Sequence, residues 1–318
     1  MIIAVLDVDQ DLVTFYYSTP HIVLRQYNDI LKQIKDQKRL ICLSQPGDGV
    51  ESSAVGMQVT VLGSGSAGNC TLIETDATAI LVDAGLSSRQ IAHRLALIGR
   101  NIDLINGILL THEHSDHTRA LGVLCKEKTI PVYANRLTAE ALVTAPEGNE
   151  FKKISWRLFS TGSRFEVGDL SIESFSVPHD AYDPVGFTIR CGDTAVGLAT
   201  DLGHATKLVV ERLRTMDALV IESNHDMKLL REDTARPWAL KQRIMSRHGH
   251  LSNDAAATLT TEVMSDRLRH VFLAHLSRDC NRPELAQEVV SQRLHRAGAA
   301  HVAVAVASQD QPTATLNL

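Results

Sequence analysis

A cluster of histidines and an aspartate in the middle of the chain constrains this sequence more than any other feature. Residues 112–117 read HEHSDH and directly follow an apolar strand pattern. Imidazole and carboxylate groups are the ligands that zinc and manganese accept in proteins. His112 and His114 can face one ion, while Asp116 and His117, at the start of a helix, can face a second. A histidine-rich surface loop is the alternative, but the buried strand before the motif argues against it.

Further ligands are predicted where other apolar strand patterns end in a histidine or an aspartate. His179 follows Val177-Pro178, Asp201 follows a strand at 196–200, and His275 follows Phe272-Leu273-Ala274. Asp83 follows Ile80-Leu81-Val82 in the same way. Because strand ends on one edge of a sheet converge in space, these side chains are expected to meet the cluster at 112–117. Taken alone, each also fits a capping or core polar residue.

The order of strand and helix patterns predicts one large domain beginning at Met57. Residues 46–53 have the composition of a turn or linker, and a strand pattern opens at Met57. Strands then alternate with helices to the end of the chain, which favours two sheets flanked by helices, an α/β or α+β sandwich. Residues 57–318 are therefore predicted to be the functional domain. Residues 1–56 are interpreted as an extension of uncertain structure or as the result of a misassigned start.

Charge and cysteine usage bound the class of protein. The formal net charge is -5, which does not indicate a nucleic-acid binder, although bound divalent cations would add positive charge that this count omits. The five cysteines are odd in number and widely spaced, which favours reduced thiols in the cytoplasm. No apolar run reaches the roughly 18 residues of a membrane span. The first residues carry acids where a secretory signal carries Lys or Arg, so a cytoplasmic location is expected.

A glycine-rich motif at residues 63–68 admits a second interpretation. It spells GxGxxG after a strand pattern, as in dinucleotide-binding domains. Such a motif must open a helix, but residues 69–75 have a strand pattern and the next strand follows too soon for a crossover helix. We therefore expect the glycines to let a loop pass close to a ligand or metal site.

The chain resembles the metallo-β-lactamase superfamily, because Asp83, the cluster at 112–117, His179, Asp201 and His275 follow the order of that superfamily's five motifs. The resemblance implies a four-layer αββα sandwich, with a hydroxide between two metal ions that attacks the substrate. It implies that Asp116 orients the hydroxide and accepts a proton. It also implies that His112, His114 and His179 bind one ion and that Asp116, His117 and His275 bind the second. Asp201 would bridge the two ions. Asp83 would support the ligands by hydrogen bonds without binding metal.

Within that superfamily, the sequence is similar to the YycJ/WalJ group, bacterial proteins described as DNA exonucleases. The similarity rests on residues 63–70 (GSGSAGNC), 222–226 (ESNHD), 248–253 (HGHLSN) and 275–277 (HLS) with Asn281 and Pro283. It extends along the domain from Met57. Two features depart from the pattern of that group. Position 280 is a cysteine where a polar residue is expected, and the chain carries a 56-residue extension before Met57. The resemblance implies a metal-dependent DNA exonuclease.

A basic segment supports a nucleic-acid substrate. Residues 236–253 contain no acid, and they hold several Arg, Lys and His side chains, including Arg247 and His250. We predict that His250, Ser252 and Arg247 contact substrate phosphates, since Ser252 stands at a predicted helix N-terminus and His250 can protonate a leaving oxygen. His225 is predicted to be a further substrate contact. A solvated basic helix face, and a structural role for His225, are the alternatives.

Two other functions remain open from the sequence. A small-molecule phosphodiesterase, or an ester, thioester or lactone hydrolase, would use the same ligands. A non-enzymatic metal-binding regulator is disfavoured by the complete ligand set. The sequence leaves open zinc against manganese, DNA against RNA, the polarity of cleavage and the oligomeric state.

Overall fold

The computed structural model describes residues 3–7, 12–16, 56–146 and 148–318. The chain falls into two compact units, Met1–Ser53 and Ala54–Leu318. In the first unit, strands β1 (Ile3–Asp7) and β2 (Leu12–Tyr16) pair antiparallel. The predicted division of the chain at Met57 stays a prediction, and Cys42 lies outside the described residues.

The first sheet of the second unit places β16, β3, β4, β5, β6, β7 and β8 side by side in that order. Each neighbouring pair of strands from β16 to β5 is antiparallel, and each neighbouring pair from β5 to β8 is parallel. The bounds are β3 Gln58–Gly63, β4 Cys70–Glu74, β5 Ala79–Val82, β6 Gly107–Leu109, β7 Val132–Asn135, β8 Trp156–Phe159 and β16 Leu316–Asn317.

The second sheet has the order β15, β14, β13, β12, β11, β10, β9. Its half from β9 to β12 is antiparallel and its half from β12 to β15 is parallel. The bounds are β9 Arg164–Val167, β10 Leu170–Ser176, β11 Val185–Cys191, β12 Thr194–Ala199, β13 Ala218–Glu222, β14 His270–Ala274 and β15 Ala303–Val306.

Helices cover the outer face of each sheet. Their bounds are α1 Ser88–Leu97, α2 Ser115–Thr118, α3 Leu121–Lys128, α4 Arg136–Thr144, α5 Lys207–Leu213, α6 Met227–Glu232, α7 Trp238–Ile244, α8 Asn253–Glu262 and α9 Pro283–Arg296. Ser87 caps α1 with a reciprocal bond to Gln90, and Pro283 begins α9, where its missing N–H is not needed.

The side-chain alternation of the central strands builds the layers. On β13, Val220 joins the apolar core between the two sheets, whereas Leu219 and Ile221 join the core beneath helices α8 and α9. On β5, Ile80 lies between the sheets and Leu81 packs towards helix α1. Both faces of each sheet are therefore buried. The predicted αββα sandwich is confirmed.

The fold also explains the glycine-rich motif. Residues 64–69 form a loop that leads into strand β4 and not into a helix, which excludes the dinucleotide-binding interpretation for this segment. Among the described residues, no helix combines the length and apolar character needed to cross a membrane. Four cysteines, Cys70, Cys125, Cys191 and Cys280, are buried free thiols.

Candidate metal centre and active site

The predicted ligands lie where strands from both sheets end at one edge of the sandwich. Asp83 follows β5 and the segment 112–117 follows β6, while Asp201 and His275 follow β12 and β14. His179 follows β10, which runs in the same direction as β12 because β11 is antiparallel to both. The structure brings all of these side chains together. Groups whose ligand atoms lie within 4.8 Å of one another are His112/His114/His179, Asp116/His117/His275, His112/His117/Asp201 and Asp201/Glu222/His250/His275.

Three of these strand ends carry an unusual backbone conformation. Asp83, Asp201 and His275 have φ angles of 62°, 55° and 56°, in the left-handed region that non-glycine residues rarely adopt. The chain therefore turns sharply one or two residues after each strand ends and directs a polar side chain over the edge of the sheet. The surrounding contacts must hold this conformation, which costs of order 1–3 kcal/mol per residue.

Three of the candidate ligand histidines each have an Nε2 atom that lacks a hydrogen bond to any described residue. The Nε2 atoms of His112, His179 and His275 are buried and have no hydrogen-bond partner among the described residues. An unpartnered buried acceptor is unfavourable, and a cation is the simplest group to satisfy several that converge. The donor set of imidazoles and carboxylates fits a divalent metal ion of the zinc or manganese type.

In four of the histidines, His112, His117, His179 and His275, the Nδ1 atom is held by the protein. The Nδ1 atom of His117 lies 2.7 Å from Asp83 Oδ2, and that of His275 lies 2.7 Å from Glu222 Oε1. Carboxylates behind the imidazoles fix the rings with Nε2 turned towards the cluster. The remaining two contacts are His112 Nδ1 with Thr111 Oγ1 at 2.9 Å and His179 Nδ1 with Gly249 O at 3.1 Å.

Asp83 ties the cluster to the strand beneath it. Its Oδ1 accepts the backbone N–H of Thr111, and both of its oxygens lie within 3.1 Å of the Thr111 hydroxyl. The same carboxylate contacts His117. Asp83 thus lies behind the candidate ligand His117 and joins it to Thr111; its supporting role stays a prediction.

Glu222 is a site residue that the sequence reasoning did not single out. It is fully buried at the end of β13, where its Oε1 lies 2.8 Å from His250 Nδ1 and 2.7 Å from His275 Nδ1. Its Oε2 accepts the backbone N–H groups of Leu202 and Leu251. One carboxylate therefore positions two imidazoles. The available signals were an acidic residue closing an apolar strand and its place in the 222–226 segment of the family resemblance, but neither signal shows that it holds two imidazoles.

Asn69 is a second residue that the sequence reasoning missed. Its Oδ1 accepts from the Ser64 hydroxyl and the Gly65 N–H, so its amide nitrogen faces the cluster. That nitrogen lies 3.2 Å from His117 Nε2 and 3.5 Å from Asp116 Oδ2. The Asn69 backbone N–H also donates to Asp116 O. The glycine-rich loop therefore approaches the cluster, as its composition predicted.

A cleft opens above the cluster. It is lined by Ser66, His114, Asp116, His179, Asp180, Asp201, Leu240, Arg243, Ile244, Gly249, His250 and His275. Ser66 belongs to the glycine-rich loop, and Leu240, Arg243 and Ile244 form one face of helix α7. The side chain of His250 is 22% exposed, so its ring borders the cleft while Glu222 holds it from behind.

The other predicted substrate contacts lie away from the cleft lining. Ser252 caps α8 by accepting the Ala255 N–H, and His225 is buried with neither ring nitrogen hydrogen-bonded to a described residue. Arg247 is exposed and places an Nη2 atom 2.9 Å from His204 Nε2. Ser252 therefore serves α8 as its N-cap, and substrate contacts by Ser252, His225 and Arg247 stay predictions.

The electrostatics divide the histidines into two kinds. Burial and the charge of His117 lower the pKa of His112 well below its usual range, and burial lowers that of His179. Burial also opposes charge on His117 and His275, but the carboxylates of Asp83 and Asp201 raise the pKa of His117 well above its usual value. Asp201, Asp116 and Glu222 do the same for His275. In the metal-free protein, nearby carboxylates therefore favour the protonated forms of His117 and His275, whereas burial favours the neutral forms of His112 and His179.

Comparisons with known proteins agree with this architecture. A family model described as a beta-lactamase superfamily domain matches residues 78–275. The fold is similar to the crystal structure of YhfI from Bacillus subtilis, a metallo-β-lactamase fold protein, with a TM-score of 0.63 at 17% identity, covering 83% of this chain and 100% of the other. Fold and site therefore define a protein of the metallo-β-lactamase class.

Two curated relatives narrow the class further. The chain is 39% identical over 248 residues to the exodeoxyribonuclease YycJ of Bacillus anthracis. It is 36% identical over 245 residues to the exodeoxyribonuclease WalJ of Streptococcus pneumoniae serotype 2 (strain D39 / NCTC 7466). Each match covers 77% of this chain and 91% of the relative. The chain therefore belongs to the beta-lactamase superfamily and, within it, to the family of YycJ and WalJ.

Proposed function

We propose that this protein is a metal-dependent phosphodiester hydrolase and that it acts as a DNA exonuclease in the cytoplasm, in DNA repair or replication-linked processing. The proposal assigns two divalent ions, zinc or manganese, to the cluster. One set of ligands is His112, His114 and His179, the other is Asp116, His117 and His275, and Asp201 is shared.

The observation that carries the proposal is the presence, in one cluster of candidate ligands, of three buried Nε2 atoms that have no hydrogen-bond partner among the described residues, those of His112, His179 and His275. Each belongs to an imidazole whose other nitrogen is already held, so the ring cannot turn away to satisfy itself. Both relatives are exodeoxyribonucleases that are similar to this chain along most of its length, which supports the choice of DNA and of an exonuclease.

The chain's own residues suit phosphodiester hydrolysis. Bound divalent ions would lower the pKa of a water molecule and neutralise charge on the phosphate. Asp116 lies in the cleft with Oδ2 3.4 Å from His275 Nε2, where its carboxylate can orient the attacking water and accept a proton. Burial opposes charge on His250, but Glu222 raises the pKa of His250 above its usual value. In its protonated form, His250 can donate a proton to the leaving oxygen.

The test is hydrolysis of 5′- and 3′-labelled single- and double-stranded DNA and RNA by the purified protein. Reactions contain no metal, zinc or manganese, and they include the double variant His112→Ala/Asp116→Ala. We expect metal-dependent release of nucleotides from DNA that the double variant loses. A matched control is His93→Ala, because His93 is exposed on helix α1 and lies outside the cleft.

Failure to cleave any nucleic acid, with metal content verified, would overturn the nuclease proposal. Turnover of a small phosphodiester, ester, thioester or lactone under the same conditions would instead assign the site to a small-molecule hydrolase. Cleavage of RNA in preference to DNA would keep the phosphodiester chemistry and replace the substrate.

A further inference from the structure

The cleft has an uneven distribution of charge. Among the described residues that line it, Arg243 is the only lysine or arginine, whereas Asp116, Asp180 and Asp201 are acidic. Metal ions on the candidate ligands would offset Asp116 and Asp201. Arg243 is therefore the one arginine or lysine beside the cluster among the described lining residues, on the wall formed by helix α7.

Arg243 is held in a defined orientation by Asp180. The Nε atom of Arg243 lies 2.5 Å from Asp180 Oδ2, and Asp180 Oδ1 lies 3.3 Å from His179 Nε2. One carboxylate thus connects the guanidinium to a candidate metal ligand, so the two lie a single side chain apart. Within the described part of the chain, neither Nη atom of Arg243 has a hydrogen-bond partner, and its side chain is 64% exposed.

The helix that carries Arg243 is fixed to the site at its end. The carbonyl oxygen of Ile244 accepts the backbone N–H of His250, and Gly249 O lies 3.1 Å from His179 Nδ1. A Cβ atom at Gly249 would lie 2.2 Å from Ile244 O, so only glycine permits this close packing. Arg243 is consequently presented by rigid backbone and not by a loose surface loop.

We propose that Arg243 binds a phosphate next to the scissile one, and that Asp180 is a positioning residue that aims its guanidinium. This inference rests on the proposed function. With Nε occupied by Asp180, the two free Nη groups remain for a phosphate, and paired N–H donors match phosphate oxygens in a way that a lysine cannot. A substrate with two or more phosphates can engage Arg243 and the cluster together. A single phosphodiester engages the cluster alone.

The experiment compares two substrates in the metal-loaded enzyme. One is a single-stranded oligonucleotide, and the other is bis(p-nitrophenyl) phosphate, which has a single phosphodiester. For Arg243→Ala we expect kcat/KM on the oligonucleotide to fall about 10- to 100-fold, the range for losing hydrogen bonds to a charged group, mainly through KM. Activity on bis(p-nitrophenyl) phosphate should change little. The salt dependence of oligonucleotide binding should weaken by about one phosphate contact.

Two further variants sharpen the result. Arg243→Lys keeps the charge but not the paired donors and should lose part of the oligonucleotide preference. Arg164→Ala is the matched control, because Arg164 is 65% exposed, pairs with Glu173 at 3.1 Å and lies outside the cleft lining. It should leave both activities unchanged.

The inference is overturned if Arg243→Ala lowers both activities equally, or lowers neither. That result is distinct from failure of the proposed function, in which the unaltered protein would cleave no oligonucleotide at all. Asp180→Ala should shift the ratio of the two activities in the direction of Arg243→Ala. An unchanged ratio would remove the positioning role from Asp180.

Discussion

At the scale of single residues, Glu222 has the most demanding position in the site. It receives two imidazole nitrogens on one oxygen and two backbone N–H groups on the other, with no exposure to solvent. All four partners act as donors when both Nδ1 atoms carry protons. A carboxylate can accept from all of them, whereas an amide offers one accepting oxygen and an NH2 group that can only donate.

We therefore expect Glu222→Gln to place an amide N–H against another donor and to release one or both imidazoles. Unfolding free energy should fall by about 1–3 kcal/mol, and turnover by roughly 10- to 100-fold. Urea denaturation and steady-state kinetics measure the two effects. Glu232→Gln is the matched control, since Glu232 is exposed on helix α6. Full activity in Glu222→Gln would show that His250 and His275 do not need this carboxylate.

Residues such as Glu222 and Asn69 also mark the limit of what sequence can predict at this scale. The candidate ligands stand directly after apolar strands, and that local context predicted their convergence. The importance of Asn69 and Glu222 arises instead from contacts with residues 47 and 53 positions away in the chain, Asp116 and His275 respectively. No local pattern contains such contacts. In the same way, the local basic segment predicted Arg247 as a substrate contact, but the face of helix α7 presents Arg243 to the cleft.

At the scale of elements, the strand ends determine how closely two loops can pack. Gly85, just after β5, donates its N–H to Asn69 O, and a Cβ atom at Gly85 would lie 1.5 Å from Asp116 O. The loop that carries residues 112–117 thus rests directly on this glycine. Both partners at that contact are backbone, so no side-chain rotation can relieve it.

Gly85→Ala is accordingly expected to displace the 112–117 loop, to lower unfolding free energy by about 1–3 kcal/mol and to weaken metal binding. Calorimetric titration with zinc and thermal melting test this. Gly99→Ala is the control, because Gly99 has a φ of +73° but no atom within 4 Å of an added Cβ. It should cost about 1–2 kcal/mol through backbone strain alone and leave metal affinity intact. Equal metal affinities in the two variants would contradict the packing argument.

Central elements were easier to predict than peripheral ones. Strand β13, at Ala218–Glu222, is an unbroken apolar run that closes on a glutamate, and α9 begins at Pro283, so both elements carry strong local signals in the sequence. Strand β8 was not predicted. It lies at the edge of its sheet, and its four residues lack a regular alternation of buried and exposed positions. Its strand conformation depends on the parallel pairing with β7, which its own sequence does not indicate.

At the scale of the whole molecule, the site connects folding to pH and metal. In the metal-free protein, nearby carboxylates hold the pKa values of His117 and His275 well above their usual range despite burial. A group whose pKa is raised by folding stabilises the fold fully below its unfolded pKa. That stabilisation is lost as the pH rises through the raised, folded-state value. These two histidines therefore favour the metal-free fold at low pH and contribute less as the solution becomes alkaline.

Metal binding should reverse that trend, because a metal ligand must be a neutral imidazole and the ion displaces the protons of His117 and His275. We expect zinc or manganese to raise the melting temperature, and the increment over metal-free protein to widen between pH 6 and pH 8.5. Calorimetric titrations in buffers of different ionisation enthalpy should detect protons released per ion bound. His93→Ala, outside the site, should reproduce the unaltered protein. A melting increment independent of pH, with no proton release, would mean that these imidazoles are not the groups the ions bind.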